Sequence, residues 1–233
     1  MADEFQNVRQ DNFIYDMIRI GTDVPAIPGW FNTFTAFAAK DDYHSFLDVR
    51  TESQCTATYT NIRKLGGLDY PFICVDMGME FSYPNPANTP AFDGDRAAAK
   101  LFCETIPKHC NVSLFIGGAD NKILTAKPDF LPYGYGTTGQ QVGGNLVSYA
   151  SIFTAGQSHA SNAFKFADQP LVIPDNKYLA LRLTLSTTAK NILNQMVAPQ
   201  PVVFQHGTWA NEATITLRLR GTRDIGQVGN IRR

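Results

Sequence analysis

From residue 43 onward, apolar and polar side chains alternate with a period of two over several separate runs, as half-buried β-strands require. In the run 54–62, Cys55, Ala57 and Tyr59 alternate with Thr56, Thr58 and Thr60, and a turn at Gly66-Gly67 follows. In 71–81, Ile73, Val75, Met77, Met79 and Phe81 share one face against Asp76, Gly78 and Glu80, so these two runs are expected as neighbouring strands. Strands are also predicted at Val112 to Ile116 and Lys122 to Ala126. The clearest lie near the C-terminus, where Leu179, Leu181, Leu183 and Leu185 oppose Ala180, Arg182 and Thr184. There too, Ala213, Ile215, Leu217 and Leu219 oppose Thr214, Thr216, Arg218 and Arg220. The predicted core includes Ile73, Val75, Met77, Leu181, Leu183, Ile215 and Leu217, because each set falls on one sheet face.

Three stretches break the period of two. Phe13, Met17 and Ile20 are spaced for one short amphipathic helix, followed by an extended segment punctuated by Gly21, Pro25, Pro28 and Gly29. Asp95 is placed to cap a helix running through Arg96 to Phe102 and closing before Pro107. A helical turn is expected from Ala189 to Met196. Residues 84–95, with Pro84, Pro86, Pro90 and Gly94, cannot continue a ladder. The glycine-rich stretch 127–144, with Pro128 and Pro132, is a long loop, as is 197–211 with Pro199, Pro201, Phe204, His206 and Trp209. The prediction is an all-β chain, a single jelly-roll or β-sandwich barrel of about eight strands, with short helices and long loops. Residues 1–30 form an N-terminal arm, strapped across the domain's own sheet or reaching a neighbour, and 31–233 form one domain.

Composition narrows the function. Apolar residues make up 44% of the 233 and charged residues 18%, against a usual charged share of about 25%. With 20 basic and 21 acidic side chains the net charge is -1, so nothing global favours nucleic acid or an anionic membrane. A nearly neutral protein resists association poorly, which suits one that packs against neighbours. The opening MADEFQNVRQDN lacks the basic and apolar blocks of a secretory signal, and no run reaches the roughly 18 apolar residues of a spanning helix. A soluble protein made in the cytoplasm is expected, with Cys55, Cys74, Cys103 and Cys110 as reduced structural thiols.

Catalytic signatures are lacking. No Gly-x-Ser-x-Gly elbow, phosphate-binding Gly-Lys-Ser/Thr loop, His-Glu-x-x-His or Cys-x-x-Cys occurs. His44, His109, His159 and His206 are far apart in sequence, so no metal and no cofactor is expected. His109-Cys110 with Cys103 has the composition of a thiol site, but buried small residues on a helix and in the turn after it explain them better. Asp93-Gly94-Asp95 is a turn and cap rather than a calcium loop, for which later acidic ligands are missing. Arg218, Arg220, Arg223, Arg232 and Arg233 make the C-terminal end basic. A phosphate site is one reading and a solvated strand face the stronger one. Phe92, Phe130, Tyr133, Tyr135, Phe204 and Trp209 put aromatics in loops, where they stack on sugars or fill pockets on a partner protein.

The N-terminal arm, the Gly/Pro-rich loops and the closing strand TITLRLRGTRDI give the chain a likeness. From about residue 43 to 225, its strand layout resembles the jelly-roll major capsid proteins of tailless icosahedral bacteriophages with an internal membrane. The resemblance implies a structural virion protein, assembled in the host cytoplasm, with no catalytic residue to carry over. It implies self-association into a trimer or pseudo-hexagonal capsomer, contact with other virion proteins and an internal viral membrane, and no specific nucleic acid. The length permits a single barrel and not two. The rival class is a jelly-roll carbohydrate- or receptor-binding module such as a phage spike or fibre tip; an enzyme is a distant third. Subunit contacts are expected from residues 1–30 and the loops 127–144 and 197–211, through Phe13, Met17, Tyr133, Tyr135, Phe204 and Trp209. On this expectation, deleting residues 1–20 leaves a cooperative fold.

Overall fold

The computed structural model describes residues 9–21, 30–47, 60, 68, 70–84, 101–131, 152–154, 164–166, 169–196 and 213–224. Two antiparallel sheets pack together. One has the order β1 (Arg9–Ile20), β10 (Ala213–Asp224), β3 (Phe72–Pro84), with the short strands β6 (Ile152–Thr154), β7 (Phe164–Lys165) and β8 (Leu171–Ile173) all pairing with β3. The other runs β2 (His44–Phe46), β9 (Leu179–Leu185), β4 (Cys110–Ile116), β5 (Lys122–Ala126). Their facing sides form one core. Ile14, Ile18, Ile215, Leu217, Leu219, Met77, Met79 and Phe81 come from the first sheet, and Phe46, Val112, Leu114 and all four leucines of β9 from the second. The leucine face of β9 and the aliphatic face of β10 therefore lie where strict alternation places them.

The N-terminal segment does not follow the helical spacing. Arg9 to Ile20 is a twelve-residue strand in continuous antiparallel register with β10, from Arg9 opposite Asp224 to Ile20 opposite Ala213. A helix of two or three turns has little stability of its own, whereas this ladder pairs the side of the backbone that faces β10 along all twelve residues and buries Ile14, Ile18 and Ile20. Asp16 occupies the same inward row, and its carboxylate accepts a hydrogen bond from the Leu47 amide at 2.7 Å. Phe13 consequently faces outward and is 50% exposed. Residues 9–20 are therefore part of the domain's own sheet and not a separable arm, so deleting 1–20 removes a core strand and cannot leave the fold intact. The run 54–62 lies outside the described residues except for Thr60, which bridges Asp16 of β1 and so sits beside β1 rather than β3.

Within β3 the alternation inverts. Arg220 pairs with Asp76 and Gly221 with Cys74, which leaves Val75 as the extra residue of a β-bulge. Met77, Met79 and Phe81 face the core as expected, but before the bulge the buried residues are Phe72 and Cys74. Ile73 is half-buried and Val75 is 38% exposed, so neither belongs to the core, where the alternation places both. Gly221 explains why the strands meet this closely: a Cβ there would lie 2.0 Å from the Ile73 carbonyl oxygen. We expect Gly221→Ala to force β10 away from β3 and lower stability by roughly 3 kcal/mol, at the upper end of overpacking costs. Denaturant unfolding measures this, and a midpoint unchanged from the parent would contradict the close approach.

Helical segments gather at one end of the sandwich. α1 (Phe34–Ala39) is capped by the Thr33 hydroxyl, which accepts from the Ala36 amide at 3.0 Å, and it was not legible as a helix. α2 (Thr187–Gln195), capped in the same way by Ser186, lies within two residues of its expected position. The helix expected from Asp95 falls outside the described residues until Leu101. There a π-helical turn, Leu101–Thr105, continues into a 3-10 turn, Ile106–His109, in which Pro107 sits in the first turn. The chain thus stays helical through Pro107, because a first-turn amide needs no intrahelical partner. Cys110 opens β4 instead of lying in a turn. Rings lock these segments to the sheets, with Phe102 against both Phe34 and Phe81 at 5.6 Å. The pairings place connections β1–β2, β3–β4, β5–β6 and β9–β10 at this end, and β2–β3, β4–β5 and β8–β9 at the other.

Candidate interaction surfaces

The outward face of the first sheet is a neutralised charge ladder. Arg220 Nε donates to Asp76 Oδ2 at 2.6 Å, and Arg218 Nη2 donates to Glu80 Oε2 at 3.1 Å. Asp76 is only 1% exposed, so Arg220 holds a buried carboxylate. Arg223 lies over the Tyr70 ring at 4.1 Å. Arg218 and Arg220 are thus members of a paired strand face and not a phosphate site; Arg232 and Arg233 lie outside the described residues.

The outward face of the second sheet carries a cation without a carboxylate. Arg182, at the centre of β9, lies 4.3 Å from the Tyr43 ring centroid and 4.2 Å from that of Phe115, and its Nη2 donates to the Tyr178 hydroxyl at 3.2 Å. No acidic side chain reaches it among the described residues, and its buried Nε has no hydrogen-bond partner there. Two aromatic faces hold the guanidinium by cation–π attraction and fix its plane. Sequence alternation placed Arg182 on the outer face correctly. It gave no sign of the frame, because Tyr43 and Phe115 come from distant parts of the chain.

At the helical end, the expected loop 127–144 begins as fixed structure. A 3-10 turn, Pro128–Phe130, is closed by the Phe130 amide donating to Lys127 and the Leu131 amide donating to Pro128. Leu131 is fully buried, and its carbonyl accepts from the Met79 amide at 2.8 Å, between the points where β6 and β7 pair with β3. This anchors the turn and leaves Asp129 exposed beside Phe130, whose side chain is 64% exposed. Of the expected contact residues, Phe13 and Met17 share the outer face of β1, with Met17 half-buried and its carbonyl accepting from Trp30 Nε1 at 3.2 Å. Tyr133, Tyr135, Phe204 and Trp209 lie outside the described residues.

Cys74, Cys110 and His44 are held neutral by burial. Burial pushes the Cys110 thiol up to about 12, and burial together with the Asp76 charge does the same for Cys74. Neither is a nucleophile at neutral pH, since only the thiolate attacks. His44 stacks on Phe37 at 3.9 Å and meets Phe31 edge-on at 5.0 Å. The Phe37 backbone lies nearby, yet neither ring nitrogen has a partner of hydrogen-bonding geometry among the described residues. Among those residues no three His, Cys, Asp or Glu side chains are grouped to hold a metal ion, and no helix is long and apolar enough to cross a membrane. In comparisons with family models, curated proteins and solved structures, nothing matches the chain.

Proposed function

We propose that the chain is a single jelly-roll coat subunit, the major capsid protein that self-assembles into the icosahedral shell of a bacteriophage. The wiring of the sheets carries this reading. β6, β7 and β8 pair in succession along β3 from Pro84 back to Phe72, as one antiparallel strand would. Counted as one, they leave eight strands. The sheets then hold the first, eighth, third and sixth beside the second, seventh, fourth and fifth, an order that supports the jelly-roll reading.

Two further features fit a subunit that repeats one contact around an axis. The connections β1–β2, β3–β4, β5–β6 and β9–β10 all leave and re-enter the sheets at the same, helical end. Low charge and near-zero net charge leave little repulsion between copies. The expected product is a trimer or pseudo-hexagonal capsomer. Sedimentation velocity and negative-stain electron microscopy of the purified protein test it, alongside a glycan array. Rings or shells without glycan binding support the coat reading; a persistent monomer that binds glycans replaces it with a receptor-binding module.

A further inference from the structure

The second sheet's outer face and the turn after β5 are complementary, and we infer that they meet between two copies of the chain: the Asp129–Phe130 turn of one subunit docks on Arg182 and its aromatic frame in the next. The inference rests on the coat-subunit reading and names a contact within it.

Arg182 lies between Tyr43 and Phe115 with its buried Nε lacking a partner, and no carboxylate neutralises it among the described residues. A guanidinium presents five donors in a planar fork matched to a carboxylate, and a charge-assisted pair in a partly desolvated frame is about twice as strong as a neutral hydrogen bond. The Tyr178 hydroxyl occupies only one of those donors.

Asp129 supplies the opposite charge. It is exposed, makes no ion pair among the described residues, and sits beside Phe130, the most exposed large apolar side chain among them. A carboxylate next to an aromatic ring matches a cation framed by aromatic rings, since the ring gains contact area from Tyr43 and Phe115 while the charges pair. Both sides are preorganised. The turn is closed by two backbone hydrogen bonds and pinned through Leu131 to Met79, and Arg182 projects from the middle of a four-stranded sheet. Little ordering entropy is then lost on docking. Knob and receptor lie on different surfaces, so the contact is head-to-tail, and such contacts build rings when the rotation closes.

Charge exchange tests the pairing. Asp129→Arg alters an exposed side chain with no partner among the described residues, and Arg182→Glu reverses the receptor. Arg182→Met, which keeps an apolar stem over the rings, covers the case in which the glutamate variant fails to fold, and thermal unfolding of each variant establishes that it is folded. Each single variant is expected to raise the concentration needed for assembly in sedimentation velocity by about tenfold or more, and the Arg182→Glu/Asp129→Arg pair to recover most of that loss. If Asp129→Arg or Arg182→Met assembles like the parent, or if the exchanged pair does no better than the worse single, the inference is overturned while the coat reading stands. A parent that stays monomeric overturns both.

Discussion

Replacing Leu183 with Asp is expected to abolish soluble, cooperative folding. Leu183 is fully buried at the centre of β9, opposite His44 of β2 on one side and Val112 of β4 on the other, with the first sheet packed above it. His44, the cross-strand neighbour at that level, is held neutral at pH 7 and presents no cation there. An unpaired buried carboxylate costs several kcal/mol, and the lost leucine removes roughly 2 to 5 more, against the 5 to 15 that hold a domain together. Thr184, the next residue, points outward and is exposed. Thr184→Asp is therefore the control expected to remain soluble with a melting temperature near that of the parent. Soluble yield and thermal unfolding of the two variants measure the difference. A soluble Leu183→Asp protein melting with the parent would mean that β9 is assigned to the wrong face.

The same alternation that identifies Leu183 made most of the second sheet and β10 legible, because a strand buried on one side leaves a period of two in its own residues. Three features were not legible, each for a physical reason. Phe13, Met17 and Ile20 fit a helical spacing while Ile14, Ile18 and Ile20 fit a strand, and only the twelve-residue ladder with β10 decides between them. The bulge at Val75 inverts the pattern within one apolar run, and its cause, the absent side chain at Gly221, lies far away in sequence. Arg182 read as one more outward polar residue. Its aromatic frame depends on residues brought together from three segments. Alternation reports which face a residue is on and is silent about what stands across from it. The sheets could therefore be read from the sequence, while the proposed docking site could not.

His44 shows how a poorly satisfied core group makes stability depend on pH. Burial, reinforced by the positive charge of Lys40, lowers its pKa from 6.5 to about 3, against a small opposing effect of the Phe37 backbone. The folded protein thus holds the imidazole neutral, while in the unfolded chain it gains a proton near pH 6.5. Because the folded pKa is the lower one, the unfolded state binds more protons below pH 6.5, and stability present above that pH is lost as pH falls toward 3. The full loss is on the order of 5 kcal/mol, with about 2 kcal/mol gone by pH 5, before most carboxylates titrate. At pH 7 the ring also carries two buried nitrogens without hydrogen-bond partners among the described residues, a cost of about 1 to 3 kcal/mol that an apolar ring would not bear. His44→Phe keeps a flat ring against Phe37 and removes both effects. The variant is expected to melt higher than the parent at pH 7. Between pH 7 and 5 its melting temperature should hold nearly level, while the parent's falls by roughly 5 °C over the same interval. Differential scanning calorimetry at half-unit steps of pH measures both slopes. Equal slopes for the two proteins would show that His44 does not carry the acid sensitivity.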